Sequence, residues 1–150
     1  MKLSNIPGSF RDPAGQVFEY ENKIYRVVKK EGKQRLETAI NKNIINQSIS
    51  NNFLIDTKVV NNQFEKLIND NNCYFLEHQK LDYVSYPYEW GFYQLKDAAL
   101  HHLNFQIFLL EKNFVLIDSS AYNIQFLKNK PFFIDVLSIE AYNEGEFWKG

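Results

Sequence analysis

The chain has 150 residues, a net charge of −1, 45% hydrophobic and 16% aromatic residues. That is room for one folded domain with a real core, and it leaves no basic field to draw in nucleic acid or an anionic membrane. A single Cys73 cannot close an internal disulfide, and it is expected to be a small buried apolar residue. The N-terminal MKLSNIPGSF lacks the apolar centre of a leader, no apolar run reaches transmembrane length, and a cytoplasmic protein is expected.

In chain order, Ile6 to Gly15 is punctuated for turns, with Arg11 and Asp12 able to form a surface ion pair that closes the turn. Gln16–Tyr20 and Lys23–Val28 alternate as two strands joined at Glu21-Asn22, a hairpin by composition. From Lys33 to about Ser48 the apolar positions Leu36, Ala39, Ile40, Ile44 and Ile45 predict a helix. Between Asn51 and Asn72, Phe53 to Ile55 suit a short strand, and Phe64, Leu67 and Ile68 a short helix. Cys73–Leu76 and Leu81–Tyr86 predict a further pair of strands, which Tyr86-Pro87-Tyr88-Glu89-Trp90 then interrupts. Aromatic Tyr86, Tyr88 and Trp90 could stack on a base or sugar, or anchor a junction. Phe92 to Lys112 is the strongest helix, with a predicted buried stripe of Leu95, Ala98, Ala99, Leu103, Ile107 and Leu110. His101 and His102 lie in it without ligands at metal spacing, one expected exposed and one in the core. The tail from Ile139 to Gly150 carries no end signal and looks cut, as in a fragment.

The most informative stretch is FVLIDSSAYNIQFLKNKPFFIDVLS, Phe114 to Ser138. It predicts a strand (Phe114–Ile117), a polar loop opened by Asp118, a second strand (Asn123–Leu127), a turn at Lys128-Asn129-Lys130, and a third strand (Pro131–Ile134) running into Asp135. Asp118 stands five residues before Asn123, and Asp135 twelve after it. A carboxylate at the loop mouth can orient a substrate hydroxyl. An Asn and a second carboxylate across a hairpin can share one Mg²⁺ and the phosphates it bridges. Protein kinases use Asp, four residues and Asn, then an Asp beyond a hairpin. The plain alternative is loop capping by Asp118 and Asn123 and a strand end at Asp135. In a kinase-like lobe the early hairpin covers a nucleotide, and Arg26 is the cation that would reach its phosphates, where Lys is usual. The alternative is an exposed charge on an outer strand. Glu37 on the helix could pair with Arg26.

The segments FRDPAGQVF (10–18), IYRVV (24–28), YPYEWGFYQLKDAAL (86–100) and DSSAYNIQF…KPFFIDVLSIE (118–140) resemble a kinase-like region. It is the one that precedes the methyltransferase domain in a family of bacterial SAM-dependent methyltransferases, nodulation-type methyltransferases among them. The resemblance is specific in the last 65 residues and weak between Lys30 and Leu81. It implies an α+β, reduced protein-kinase-like fold. A small antiparallel N-terminal sheet plus helix (1–85) would precede a long helix and a catalytic-loop-type hairpin in a truncated second lobe (86–150).

The expected function is that of a phosphate- or nucleotide-binding, or accessory substrate-binding, domain associated with a SAM-dependent methyltransferase and degenerate as a kinase. Asp118 is the catalytic candidate, Arg26, Asn123 and Asp135 the nucleotide-binding candidates, and Asn123 with Asp135 the Mg²⁺ ligands. ATP and Mg²⁺ are the expected cofactors, with SAM only if a methyltransferase domain follows. Alternatives are an active phosphotransferase acting on a small molecule or glycan, and a non-catalytic interaction module. Expected partners are a methyltransferase domain in cis or trans and a small-molecule or glycan substrate, with no nucleic acid and no membrane. The chain carries no P-loop, no G-x-G-x-x-G, no SAM-type glycine loop and no nucleophile elbow.

Overall fold

A computed structural model describes residues 4–5, 15–60 and 73–147. A five-stranded antiparallel sheet forms first, from β1 (Ser4–Asn5), β2 (Gly15–Tyr20), β3 (Lys23–Val28), β4 (Thr57–Val60) and β5 (Tyr74–His78), in the order β1-β2-β3-β5-β4. The β2–β3 turn has both central residues at positive φ, Glu21 at 48° and Asn22 at 62°. That is the backbone whose twist matches a two-residue hairpin. β3 lies between β2 and β5 and is buried on both faces from Tyr25 to Val28. The period of two puts Ile24, Arg26 and Val28 on one face and Tyr25 and Val27 on the other.

The two faces feed different apolar clusters. Tyr25 and Val27 join Phe18, Cys73 and Phe75 on one side. On the other, Val28 and Leu76 join the main core with Leu36 and Ala39, Phe105 and Leu109, Leu116, Ile124, Phe133 and Ile139. Each fully buried Phe there contributes about 2–3 kcal/mol relative to exposure, and Phe53 extends the group by stacking on Phe105 at 5.1 Å.

The helix predicted from Lys33 to Ser48 is two helices, α1 (Lys30–Asn41) and α2 (Ile44–Ser50). The break falls at Asn43, whose φ of 57° is left-handed and ends any continuous helix. Phe53 to Ile55 is not a strand, although Leu54 makes one parallel bridge to Phe133. β5 pairs with β3 and β4, both earlier in the chain, and not with Leu81–Tyr86, which forms no strand. The helix predicted around Phe64, Leu67 and Ile68 lies outside the described residues.

α3 (Phe92–Leu110) follows a short 3-10 turn at Pro87–Glu89. It buries Ala98, Phe105, Gln106 and Leu109, whereas Leu95, Leu103, Ile107 and Leu110 of the predicted stripe are exposed. The predicted hairpin is present as β7 (Ile124–Leu127) and β8 (Lys130–Phe133), turning on Lys128 and Asn129 at φ 49° and 63°. Ahead of it, β6 (Phe114–Leu116) pairs with β9 (Ile139–Ala141), which gives part of the tail a place in the fold. The described architecture is α+β, with a small antiparallel sheet and three helices. No helix among the described residues is long and apolar enough to cross a membrane.

Candidate functional site

Arg26 leaves the central strand on the core side, where its side chain is 8% exposed. It is therefore not the outer-strand surface charge weighed above. Its guanidinium donates to Asp135 Oδ1 at 2.5 Å, and the Asp135 side chain is 24% exposed. Asp135 sits just beyond β8 and starts the 3-10 turn Val136–Ser138. The turn points two donors back at it: Leu137 N–H to Oδ1 at 3.0 Å and Ser138 Oγ to Oδ2 at 2.9 Å. A charged donor and two local ones hold the carboxylate in place.

Asn123 is tied to both ends of this arrangement. Its backbone carbonyl accepts from Ile134 N–H at 2.8 Å, next to Asp135, and its amide nitrogen donates to the Asp118 carbonyl oxygen at 3.0 Å. Asp118 itself is exposed, with φ 45°. The backbone contact at Asp118 is the loop bonding that Asn is suited to. Of the four residues singled out in the sequence, Arg26 and Asp135 are in direct contact, and Asn123 links the Asp118 loop to the strand leading into Asp135.

Glu37 does not take the place expected of it beside Arg26. It accepts from the Tyr74 hydroxyl at 2.8 Å. The residue of α1 that reaches the Asp135 turn is Arg35, donating to the Leu137 carbonyl at 2.7 Å and pairing with Glu140 at 3.2 Å. Two more residues shape the site. Gly15, opening β2, lies so close that a Cβ there would meet the Val27 carbonyl oxygen at 2.5 Å and Arg26 Nε at 3.2 Å. His78 is buried on the same sheet face as Arg26. Burial pushes its imidazole down to about 4, with the Arg26 charge adding to the effect and Asp135 opposing it. The Thr57 hydroxyl donates to the Ile55 carbonyl, so the 2.9 Å contact to His78 Nδ1 is one in which the neutral ring donates.

Neither helix histidine is exposed. His101 Nε2 contacts the Phe53 carbonyl at 3.0 Å and His102 Nε2 the Ser119 hydroxyl at 3.1 Å. Burial lowers the pKa of both rings. Trp90 is a packing anchor, edge-on to Phe126 and bonded through Nε1 to Ser85 Oγ, whereas Tyr86 and Tyr88 stack on one another at 5.5 Å. Ser85 is clasped by Gln125, N–H to Oε1 and Nε2 to carbonyl, both at 2.9 Å. That ties the 79–86 connector to β7. A cavity of about 250 Å³ opens between α1, α2 and β4, with Leu36, Ile40, Val59, Leu76 and Val136 on an apolar side and Asn43, Asn46, Thr57 and Lys58 on a polar one.

Sequence reading missed Gly15, Arg35 and His78. His78 was legible in principle, since continuing the 73–76 strand by two residues puts it on the Leu76 face. Arg35 carried no signal beyond being one helix cation among several. As a Mg²⁺ site, Asp135 and Asn123 are donors of the right hard-oxygen class, but both Asp135 oxygens already accept protein hydrogen bonds. A cation would have to compete with Arg26 for Oδ1.

The fold and the site together define an α+β domain with a buried Arg–Asp pair where its main sheet meets a β-hairpin. Over 145 residues, 97% of its length, the chain is 39% identical to the nodulation protein NoeA of Rhizobium meliloti (strain 1021). It is thereby related to part of that protein, and it spans 30% of that relative's length. No protein-family profile matches the chain.

Proposed function

We propose that the chain is a phosphate- or nucleotide-binding domain of reduced kinase-like architecture, working as an accessory part of a larger activity. One observation carries this reading: the guanidinium of the central strand and the carboxylate closing the hairpin meet in the folded protein, 109 residues apart in the chain. Strand order, the position of α1 between β3 and β4, and the Asp118–Asn123 loop ahead of the hairpin support it as well.

In the bound state Arg26 turns from Asp135 to a phosphate, which a planar guanidinium can grip with two parallel hydrogen bonds. Asp135 and the Asn123 side-chain oxygen would then hold Mg²⁺, which neutralises phosphate charge when bound. Asp118, exposed at the loop mouth, is the group that would face an acceptor hydroxyl in a version active as a phosphotransferase. A methyltransferase part, in cis or trans, is the proposed companion. The name of the relative adds only that it is a nodulation protein.

Calorimetric titration with ATP and with Mg²⁺-ATP tests the reading on wild type, Arg26→Met and Asp135→Asn, with circular dichroism confirming that each variant is folded. Binding should require Arg26, and its Mg²⁺-dependence should vanish in Asp135→Asn. Folded wild type that binds neither ATP nor inorganic phosphate at millimolar concentration would overturn it.

A further inference from the structure

β4 ends the strand order of the main sheet, and nothing among the described residues pairs with its outer edge. The ladder fixes which groups face outward. Gln79 N–H donates to the carbonyl of Asp56, directly opposite, at 2.9 Å. Bonded pairs alternate along an antiparallel ladder. Lys58 and Val60 therefore bond to β5, while Thr57 and Val59 turn their N–H and C=O out of the sheet. Those of Val59 find no partner among the described residues, and the residue is 51% exposed. Beside this edge lies the cavity between α1, α2 and β4, on the sheet face that Val59 shares with Leu76. Its inner wall is buried Leu36, Leu76 and Val136, and Asn43, Asn46 and Val59 are exposed at its mouth. Asn46 Nδ2 donates to Asn43 Oδ1 at 2.8 Å, which leaves one amide donor and one amide acceptor at the rim.

We propose that the β4 edge and this cavity together take an extended peptide that carries one bulky apolar residue and adds to the sheet as a further strand. The two features fit one ligand because of strand geometry. A residue that bonds to both backbone groups of Val59 stands directly opposite it, and directly opposed residues of a ladder project to the same face. That face is the one on which the cavity lies. The volume of about 250 Å³ exceeds the ~150 Å³ that holds a benzene ring, so an aromatic or large aliphatic side chain fits. Main-chain bonds supply the affinity and the cavity selects the side chain, while the Asn43 and Asn46 amides meet peptide polar groups at the mouth. A free small molecule would use the cavity alone, and a flat apolar surface would leave the Val59 N–H unpaired. The inserted side chain packs on Val136, the residue after Asp135, so docking touches the turn that holds the carboxylate.

Selection of a displayed library of random short peptides on the full chain tests this. Enriched sequences should share one bulky apolar residue within a β-prone stretch, and a synthetic copy should slow exchange of the Val59 amide. Val59→Pro removes the outward N–H where an edge strand tolerates proline, and should weaken binding about tenfold or more with an unchanged circular dichroism spectrum. Ile40→Trp fills the cavity and should weaken it as much. N-methylation of the peptide at its apolar residue leaves the protein untouched and should have the same effect. Failure to enrich any peptide would overturn the proposal, and so would binding that survives Val59→Pro, Ile40→Trp or the peptide methylation. Protection of the Val59 amide that rises with protein concentration alone would give the edge to a second copy and overturn it as well.

Discussion

Arg26 and Asp135 form an ion pair in which the guanidinium is almost wholly buried and the carboxylate three-quarters so. Removing one member of such a pair costs more than removing both, because the survivor stays desolvated without compensation. Arg26→Met or Asp135→Leu alone should destabilise the fold by about 2–4 kcal/mol, and the two together by less than the sum of the singles. Urea unfolding of the two singles and the double measures this. Strict additivity would mean that the pair is not coupled.

His78 sets an acid limit. Its pKa is held at about 4 in the folded chain against 6.5 for an ordinary histidine. Between those values the unfolded chain binds the extra proton, so stability rises with pH through that window and is lost as pH falls. The span is worth on the order of 3 kcal/mol. His101 and His102 are shifted in the same direction, so the measurement is a comparison of urea midpoints at pH 4.5 and 7 between wild type and His78→Gln. The variant should show a visibly flatter dependence.

Gly15 is required by close approach, since a Cβ there would lie 2.5 Å from the Val27 carbonyl oxygen. Gly15→Ala must push β2 away from β3 just over Arg26. A loss of about 1–3 kcal/mol is expected, with weaker nucleotide binding if the proposed function holds. Thermal unfolding and titration read the two effects separately.

Ser48 is fully buried in α2, and its hydroxyl finds no hydrogen-bond partner among the described residues. Ser48→Ala removes an unsatisfied polar atom at little change in volume. Its effect should lie between neutral and a gain of about 1 kcal/mol. A clear fall in melting temperature would show that the hydroxyl is bonded in solution.

Local chemistry made much of this fold legible. β3 is legible with its true ends because Lys23–Val28 is rich in β-branched and aromatic residues and follows a turn that Asn22 can adopt. The β7–β8 hairpin was read because Asn129 and Pro131 bound short apolar runs. Where the pattern failed, two structures shared one periodicity. Ile44 and Ile45 continue the helical spacing of Leu36 and Ile40 across the break at Asn43, so one helix and two look alike. α3 is apolar on most of its circumference, and periodicity alone does not choose between Leu103 and Phe105 as the buried residue.

Of the candidate site, the sequence held the residues but not their meeting. Spacing within Asp118 to Asp135 is local and could be read. The contact between Arg26 and Asp135 depends on how the sheet docks on the hairpin, and no short-range pattern encodes that. Glu37 is expected beside Arg26 only by analogy with a helix carboxylate, whereas α1 turns the Arg35 guanidinium to the Leu137 carbonyl and Glu140.

The two-way clasp of Phe133 on the 53–55 backbone, N–H to the Phe53 carbonyl and carbonyl to Ile55 N–H, each 2.9 Å long, bears on the order of folding. Each hairpin can close its own short loop, but the clasp must bring together segments about 80 residues apart, and loop-closure entropy opposes that until both halves are formed. Asp135 lies two residues beyond the clasp and is presented to Arg26 only once it has closed. The charged site is thus assembled late, and a substitution that loosens the Phe53–Phe133 junction should slow the recovery of ligand binding on refolding while leaving hairpin formation fast.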